Sequence, residues 1–269
     1  MSLPLNEIIH GDCLEVMRGW PSECIDLTVT SPPYDNLRTY NGFSFDFEGI
    51  AQELYRITKQ GGVVAWVVGD ATVNGSETGT SFKQALYFKE IGFNFHDTMI
   101  FAKKDPVPND GRQNRYIQQF EYMFILSRGK PKTCNYRTEP CVRAGKKSTL
   151  GTQRKADGTL RQDRKINRVG TTVKQQKART NIWYYATGGR QIHPASFPER
   201  LAEDHILTWS NEGDIVLDPM CGSGTTCKMA METGRDYIGI DISEEYCEMA
   251  RKRIAEHTAQ QNIFSPGVE

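Results

Sequence analysis

Short apolar runs alternate with amphipathic segments along most of this chain. The run 63–68 (VVAWVV) is apolar without a break, which is typical of a strand covered on both faces of a parallel sheet. Alternation of this kind predicts a doubly wound, mostly parallel α/β sheet. The predicted strands are 25–30, 63–68, 95–103, 119–127, 181–186, 213–219 and 235–241, and the predicted helices are 46–62, 81–92, 197–210, 225–234 and 243–257.

Three segments give more specific structural predictions. Gly61 and Gly62 are expected to end the helix 46–62, because glycine commonly follows the last helical turn. Segment 70–81 contains almost nothing apolar and is expected to be an exposed, mobile loop. The helix 81–92 is expected to turn four apolar side chains toward the core, Phe82, Ala85, Leu86 and Ile91.

Residues 129–180 interrupt the alternation. They carry few large apolar side chains and cannot form a core of their own, so we expect an inserted arm between 1–128 and 181–269. The whole chain has zero net charge, but residues 131–180 hold 14 basic and three acidic side chains, a net charge of +11. This asymmetry indicates a surface for an anionic partner such as nucleic acid.

Composition argues against several classes of protein. No apolar run approaches the roughly 20 residues that span a bilayer, and the first residues lack the layout of a secretory signal. The seven cysteines form no C-x-x-C pair, and the five histidines lie in no metal-ligand pattern. We therefore expect a cytoplasmic protein with no membrane segment, disulfide framework or metal site.

A glycine-containing loop lies between the predicted strand 213–219 and a helix. Gly222 and Gly224 let the backbone approach a ligand, and no lysine follows them as in a P-loop. Asp218 suits a cation better than a phosphate, and Asp241, at the end of the next strand, is expected to bind ribose hydroxyls. These features favour S-adenosylmethionine over NAD or ATP. The alternative is a turn that only packs a helix against the sheet.

The turn Ser31-Pro32-Pro33-Tyr34 directly follows the strand 25–30. We expect it at the same carboxyl-end edge of the sheet as the glycine loop. Because proline lacks an N–H, the carbonyl oxygens and the serine hydroxyl form a set of acceptors suited to an exocyclic amine. Tyr34 would stack on a base and stabilise developing positive charge. In isolation, the motif is equally compatible with a rigid turn whose tyrosine belongs to the core.

The order of these motifs resembles that of the β-class DNA amino-methyltransferases. TSPPY near the N-terminus, a long middle insertion, HPASFP at 193–198 and DPMCGSGTT at 218–226 follow the family order, and the likeness extends over nearly the whole chain. That family transfers methyl groups from S-adenosylmethionine to N6 of adenine or N4 of cytosine in DNA. The resemblance implies a Rossmann-like methyltransferase fold with a circularly permuted motif order. Strands within 214–241 and the N-terminal part would then share one sheet.

The resemblance also implies roles for individual residues. The catalytic turn would comprise Ser31, Pro32, Pro33 and Tyr34. The cofactor would be bound by Asp12, His193, Phe197, Asp218, Pro219, Cys221, Gly222, Ser223, Gly224, Thr225 and Asp241. The inserted segment would be the target-recognition region, and the basic residues expected to bind DNA are Arg38, Arg143, Lys146, Lys147, Arg154, Lys155, Arg161, Arg164, Lys165 and Arg168.

The leading interpretation is a site-specific cytosine-N4 methyltransferase acting on double-stranded DNA. Family members that act on adenine usually have Asp or Asn at the position of Ser31, whereas serine is more typical of cytosine-N4 enzymes. Because the amine of a paired base is out of reach, the base would be flipped from the duplex. The resemblance suggests a bacterial or phage-encoded, nucleoid-associated protein that forms a homodimer and is either an orphan or partnered by a restriction endonuclease.

Three alternatives stay open. An adenine-N6 DNA methyltransferase would use the same scaffold. Methylation of RNA or of a protein amide would use a similar turn, although the basic insertion and the motif order favour DNA. The third is a catalytically silent DNA-binding protein, against which the complete turn and glycine loop argue.

Overall fold

The computed structural model describes residues 2–33, 45–106, 114–148, 156–159, 170–186 and 197–264. The chain forms two compact units, of which the smaller lies within 136–180. The described strands are β1 (Glu7–His10), β2 (Ile25–Thr30), β3 (Thr58–Val68), β4 (Thr72–Val73), β5 (Ser76–Glu77), β6 (Asn94–Lys103), β7 (Phe120–Ser127), β8 (Thr138–Pro140), β9 (Gln176–Ala178), β10 (Ile182–Tyr185), β11 (Ile215–Asp218) and β12 (Asp236–Asp241). The described helices are α1 (Cys13–Arg18), α2 (Phe47–Ile57), α3 (Thr80–Glu90), α4 (Glu199–Trp209), α5 (Thr225–Glu232) and α6 (Glu244–Phe264).

The larger unit is built on an eight-stranded sheet with the order β1-β12-β11-β2-β3-β7-β6-β10. Strand β7 is antiparallel to both of its neighbours, and the other seven described strands of this sheet run parallel to one another. The predicted mostly parallel α/β sheet is confirmed. The permuted order is also confirmed, because β1 from the N-terminal part pairs with β12 from the C-terminal part.

Helices cover both faces of the sheet. Side chains of α4, α5 and α6 pack on the face that includes Val63 and Val67, and side chains of α1, α2 and α3 pack on the face that includes Val64 and Trp66. Alternate residues of β3 therefore enter different cores, which explains why its sequence is apolar at every position. No helix within the described ranges is long and apolar enough to cross a bilayer.

The predicted helix 46–62 is too long. It ends at Ile57, where the Thr58 hydroxyl donates a hydrogen bond of 2.6 Å to the carbonyl of Leu54. Residues 58–62 already belong to β3, and Gly61, at φ +81°, lies where the pairing between β2 and β3 is irregular. The two glycines thus serve a distortion of the strand and do not terminate the helix.

The predicted inward face of α3 is partly wrong. Phe82 and Leu86 are 50% and 67% exposed. Gln84 is buried in their place, because its side-chain oxygen accepts a hydrogen bond of 2.9 Å from the indole nitrogen of Trp66. The other two predicted positions do pack against the core, Ala85 and Ile91. An amide that is satisfied by a buried partner can occupy a core position, and hydrophobic periodicity does not detect it.

The remaining strands are short. Strands β4 and β5 form a short exposed hairpin within the predicted loop 70–81. In the smaller unit, β8 pairs with β9 in antiparallel fashion. Residues 129–135, which the sequence assigns to the insertion, belong to the larger unit, where Lys132 binds the buried carboxylate of Asp26 at 2.7 Å.

Candidate active site

Four strand ends meet at one edge of the sheet. β2, β11, β12 and β1 are parallel neighbours, so the residues that follow them emerge side by side. Ser31 follows β2, the loop 219–224 follows β11, and Asp12 follows β1. Asp241 is the last residue of β12. The catalytic-turn candidate and the glycine loop therefore share the edge that the sequence predicts.

Asp218 joins the turn to the loop. Its carboxylate is buried and accepts a hydrogen bond of 2.7 Å from the hydroxyl of Thr30, the residue before Ser31. The same oxygen accepts from the amide of Met220 at 3.2 Å, and the Thr226 side chain is a further hydrogen-bond partner. Burial raises the pKa of Asp218 to about 6, although these hydrogen bonds oppose the shift.

The backbone of the glycine loop is held by the neighbouring strand. The amide of Cys221 donates to the carbonyl of Ile240 at 2.8 Å, and the amide of Gly222 donates to Oδ2 of Asp241 at 2.8 Å. Gly224 has φ +77°, and a Cβ on it would lie 2.8 Å from the Cβ of Ala250 in α6. The loop thus needs glycine at 224 both for its backbone conformation and for helix packing.

Asp241 presents a fixed carboxylate. Oδ1 accepts from the amide of Ser243 at 2.9 Å, while Oδ2 accepts from Gly222. Each oxygen has a second lone pair, so the carboxylate can still accept hydrogen bonds from a ligand.

Asp12 is exposed and caps α1 by accepting from the amide of Leu14 at 2.8 Å. Gly11 donates its amide to the backbone oxygen of Asp241 at 2.9 Å, which places Asp12 near Asp241.

The other predicted cofactor residues take different positions. Pro219, Ser223 and Thr225 are buried, and Phe197 is half-buried against the core. Cys221 is also buried, where a hydrogen bond with Cys227 and burial raise the pKa of its thiol far above the ordinary value. The Cys221 side chain therefore belongs to the packing beneath the loop and is a neutral thiol.

The remaining predicted site residues lie at the end of β2, in the smaller unit or outside the described residues. Pro32 is buried and Ser31 and Pro33 are half-buried at the end of β2. Three predicted DNA-binding residues of the smaller unit are exposed, Arg143, Lys146 and Lys147. The remainder lie outside the described residues: Tyr34, Arg38, Arg154, Lys155, Arg161, Arg164, Lys165, Arg168 and His193.

Four residues around the loop are not predicted from the sequence, although two of them, Thr30 and Thr226, lie within the motifs TSPPY and DPMCGSGTT. Thr30 and Thr226 hold Asp218, and Arg253 of α6 donates hydrogen bonds to Ser223. Glu199 accepts from Arg253 at 2.5 Å. Arg253 lies 30 residues after Ser223 and 54 after Glu199, so no local spacing reveals these two contacts.

Residues 25–252 match the family model of the N6/N4 DNA methylases. The chain belongs to this DNA methylase family. It is 57% identical over 240 residues to the orphan methyltransferase M.BamHII of Bacillus amyloliquefaciens, a match that covers 86% of this chain and 88% of that protein.

Solved structures show the same fold. The protein TTHA0409 of Thermus thermophilus, solved in complex with S-adenosyl-L-methionine, is 26% identical and superposes with a TM-score of 0.61, over 93% of this chain and 95% of that one. PvuII DNA methyltransferase, described as cytosine-N4-specific, has a TM-score of 0.68 at 19% identity, over 91% of this chain and 85% of its own. The latter likeness shows the fold alone.

This DNA methyltransferase is therefore dependent on S-adenosylmethionine. The sheet edge at the ends of β2, β11, β12 and β1 fits that cofactor. Asp241 offers acceptors for ribose hydroxyls, and the loop 218–226 contains no Lys or Arg that would favour a phosphate. The acidic edge also suits the positive charge of a sulfonium and an α-ammonium group.

Replacing Asp218 with asparagine is expected to change how stability depends on pH. The pKa of this carboxyl lies above its ordinary value of 3.8, so the folded state holds the proton more tightly than the unfolded state. Its contribution to the free energy of unfolding is therefore present below pH 4 and is lost as pH rises through about 6. An asparagine oxygen can still accept from Thr30 and Met220 without that cost.

We expect the Asp218→Asn variant to gain stability relative to the wild type as pH rises from 4 to 7, by at most about 3 kcal/mol. Urea unfolding of both proteins at several pH values, without cofactor, measures this difference. A constant difference across the range would contradict the raised pKa. Comparing the two proteins removes the contributions of carboxylates that both retain.

The Asp241→Ala variant is expected to bind S-adenosylmethionine at least about tenfold more weakly, because it loses the ribose acceptors and the hydrogen bond from Gly222. Isothermal titration calorimetry measures the affinity. Asp236, at the other end of β12, accepts a hydrogen bond of 2.8 Å from the side-chain amide of Asn6. Asp236→Ala is therefore the matched control and should bind S-adenosylmethionine with wild-type affinity. Equal affinities in the two variants would remove Asp241 from the cofactor site.

Proposed function

We propose that this enzyme transfers the methyl group to the exocyclic N4 amine of a cytosine flipped out of double-stranded DNA. The observation that carries the proposal is the position of Ser31. It begins the proline turn at the end of β2, directly after the residue that Asp218 holds beside the glycine loop. A hydroxyl both accepts and donates, whereas an ionised carboxylate only accepts.

Cytosine offers neighbouring groups that match this hydroxyl. Its N4 amine donates hydrogen bonds, and the adjacent ring nitrogen N3 accepts. Ser31 can therefore accept from the amine and donate to N3, while the carbonyl oxygens of the proline turn accept a second amine hydrogen. Holding both hydrogens draws the nitrogen toward tetrahedral geometry and directs its lone pair outward.

S-adenosylmethionine supplies the methyl group when it is bound. The contribution of the chain is to fix the amine in line with that group, and the hydrogen bond between Thr30 and Asp218 keeps the turn and the loop in register. The methylated amine carries a positive charge and is a strong acid. It loses its proton to Ser31 or to water, so no dedicated general base is required.

Binding of DNA is proposed to depend on the basic segment 131–180. Extrusion of a base costs a few kcal/mol, on the order of what phosphate contacts can supply. Within the smaller unit, the backbone around the exposed Arg143, Lys146 and Lys147 is ordered by hydrogen bonds, including that from the amide of Val173 to the carbonyl of Lys146 at 2.9 Å. Basic side chains on an ordered backbone suit phosphate contacts.

Digestion of methylated DNA to nucleosides, followed by mass spectrometry, tests the base. We expect N4-methylcytosine when the purified enzyme acts on DNA with labelled S-adenosylmethionine, and we expect Ser31→Ala to reduce the rate constant by about 10²-fold. Ser22 is exposed and lies before the same strand that Ser31 follows, so Ser22→Ala is the matched control. N6-methyladenine as the sole product would replace cytosine with adenine as the target.

Affinity for DNA is expected to fall steeply with salt. Each phosphate neutralised contributes about −0.9 to the slope of log K against log salt concentration. If Arg143, Lys146 and Lys147 each contact one phosphate, replacing all three with glutamine should make the slope less steep by about 3. Fluorescence anisotropy with a duplex oligonucleotide at several salt concentrations measures the slope.

A control variant should lose the same charge elsewhere. Arg18, Lys89 and Lys252 are exposed on helices of the larger unit, and their combined replacement with glutamine should leave the slope unchanged. An identical slope in both triple variants would place the smaller unit outside the DNA interface.

A further inference from the structure

One guanidinium group reaches the glycine loop from the last helix. Nη1 of Arg253 lies 3.1 Å from the backbone oxygen of Ser223, 3.1 Å from its hydroxyl oxygen and 3.1 Å from Oγ1 of Thr225. This nitrogen carries two hydrogens, so the three oxygens share them. Arg253 thus contacts the loop on both sides of Gly224.

The second terminal nitrogen of the guanidinium contacts a carboxylate outside the glycine loop. Nη2 of Arg253 donates to Oε1 of Glu199 at 2.5 Å. Glu199 is the first residue of α4, two positions after Phe197, the half-buried candidate for the apolar wall of the cofactor pocket. The guanidinium therefore connects the loop after β11 to the segment that contains Phe197.

Glu199 is itself held in place. Lys228 of α5 donates to the same Oε1 at 2.8 Å. Burial would raise the pKa of Glu199, but the hydrogen bonds from Lys228 and Arg253 hold it below the ordinary value. The carboxylate is therefore ionised at neutral pH and balances the charge of Arg253. A guanidinium neutralised in this way is a poor site for a phosphate, so a structural task suits it better.

The conformation of the glycine loop depends on contacts with side chains of neighbouring helices. Gly222 has φ +49° and Gly224 has φ +77°, and residues without Cβ atoms restrict the backbone little. Helix α6 touches the loop twice, through Ala250 against Gly224 and, one turn later, through Arg253 against Ser223. Half-exposed ion pairs add little to stability on their own, so the value of this contact is geometric.

We propose that Arg253, fixed by Glu199, is a positioning residue that sets the spacing between the glycine loop and the Phe197 segment, and thereby the affinity for S-adenosylmethionine. The inference rests on the proposed assignment of both segments to the cofactor site. The described contacts of Arg253 are to Ser223, Thr225 and Glu199, and none of them is to Ser31, Pro32 or Pro33. The rate constant at saturating cofactor should therefore depend on it little.

The experiment compares Arg253→Met, Arg253→Lys and Glu199→Gln with the wild type. Calorimetric titration with S-adenosylmethionine should show binding weakened about tenfold or more in Arg253→Met, the loss expected of a charge-assisted hydrogen bond. The KM for cofactor should rise in parallel while kcat stays within about twofold. Lysine keeps the charge but cannot bind Ser223 and Glu199 in the same fork geometry, so Arg253→Lys should recover only part of the affinity.

A second readout needs no cofactor. Hydrogen exchange followed by mass spectrometry on the free protein should show faster exchange in the peptides that contain 219–226 and 197–201 in Arg253→Met, with β3 unchanged. Lys252 is adjacent in α6, is 78% exposed and lies 3.9 Å from Glu256, so Lys252→Met is the matched control and should behave as the wild type.

The outcomes separate this inference from the function on which it rests. Wild-type affinity and exchange in Arg253→Met would overturn the positioning role while leaving the methyltransferase assignment intact. A kcat that falls with the KM unchanged would also overturn it. Failure of the wild type to bind S-adenosylmethionine would overturn the assignment of the cofactor site and this inference with it. If Arg253→Met does not fold, normal binding by Arg253→Lys and Glu199→Gln overturns the proposal, and graded loss in both supports it.

Discussion

The buried carboxylate of Asp218 holds the two halves of the site together. Strand β11 carries the glycine loop and strand β2 carries the proline turn, and the contact between Asp218 and Thr30 joins them where both strands end. A carboxylate in such a place is costly when it is ionised, which is why its pKa rises to about 6. The protein tolerates this cost where β2 and β11 end side by side, between the proline turn and the glycine loop.

The permuted order of the chain makes the same edge depend on both termini. Strand β1 adds to the sheet beside β12, and its backbone oxygen at Ile8 accepts hydrogen bonds from Arg251 of α6. The edge proposed to bind the cofactor thus has Asp12, just after the first strand, on one side, and its glycine loop is contacted by Arg253 from the last helix. Gly11 and Asp241 lie more than 200 positions apart in the chain, and their backbone hydrogen bond forms only when the two parts of the sequence meet. The edge is therefore a product of the whole fold and not of one motif.

How far the sequence predicted the molecule depends on the range of the interactions concerned. Alternation of apolar runs predicted the parallel sheet, because a strand such as β3 that enters two cores must be apolar on both sides. The motifs placed Ser31, Asp218 and Asp241 at one edge because parallel strands end together. What the sequence could not supply were pairings between distant polar groups. Gln84 is buried because it accepts a hydrogen bond from Trp66, and Arg253 contacts both the glycine loop and Glu199. None of these residue pairs has a characteristic spacing in the sequence.

The opposite charges of the two parts of the chain match the ligands proposed for them. A sulfonium cofactor is favoured by an acidic edge, here formed by Asp12, Asp218 and Asp241, and such an edge disfavours phosphates. An enzyme that must also bind DNA therefore gains by concentrating its basic side chains in a separate stretch of sequence. Residues 131–180 carry a net charge of +11 within a chain whose total is zero, so the rest of the chain carries −11. The zero net charge of the chain is thus the sum of two opposite local charges, and it gives no argument against a nucleic-acid substrate.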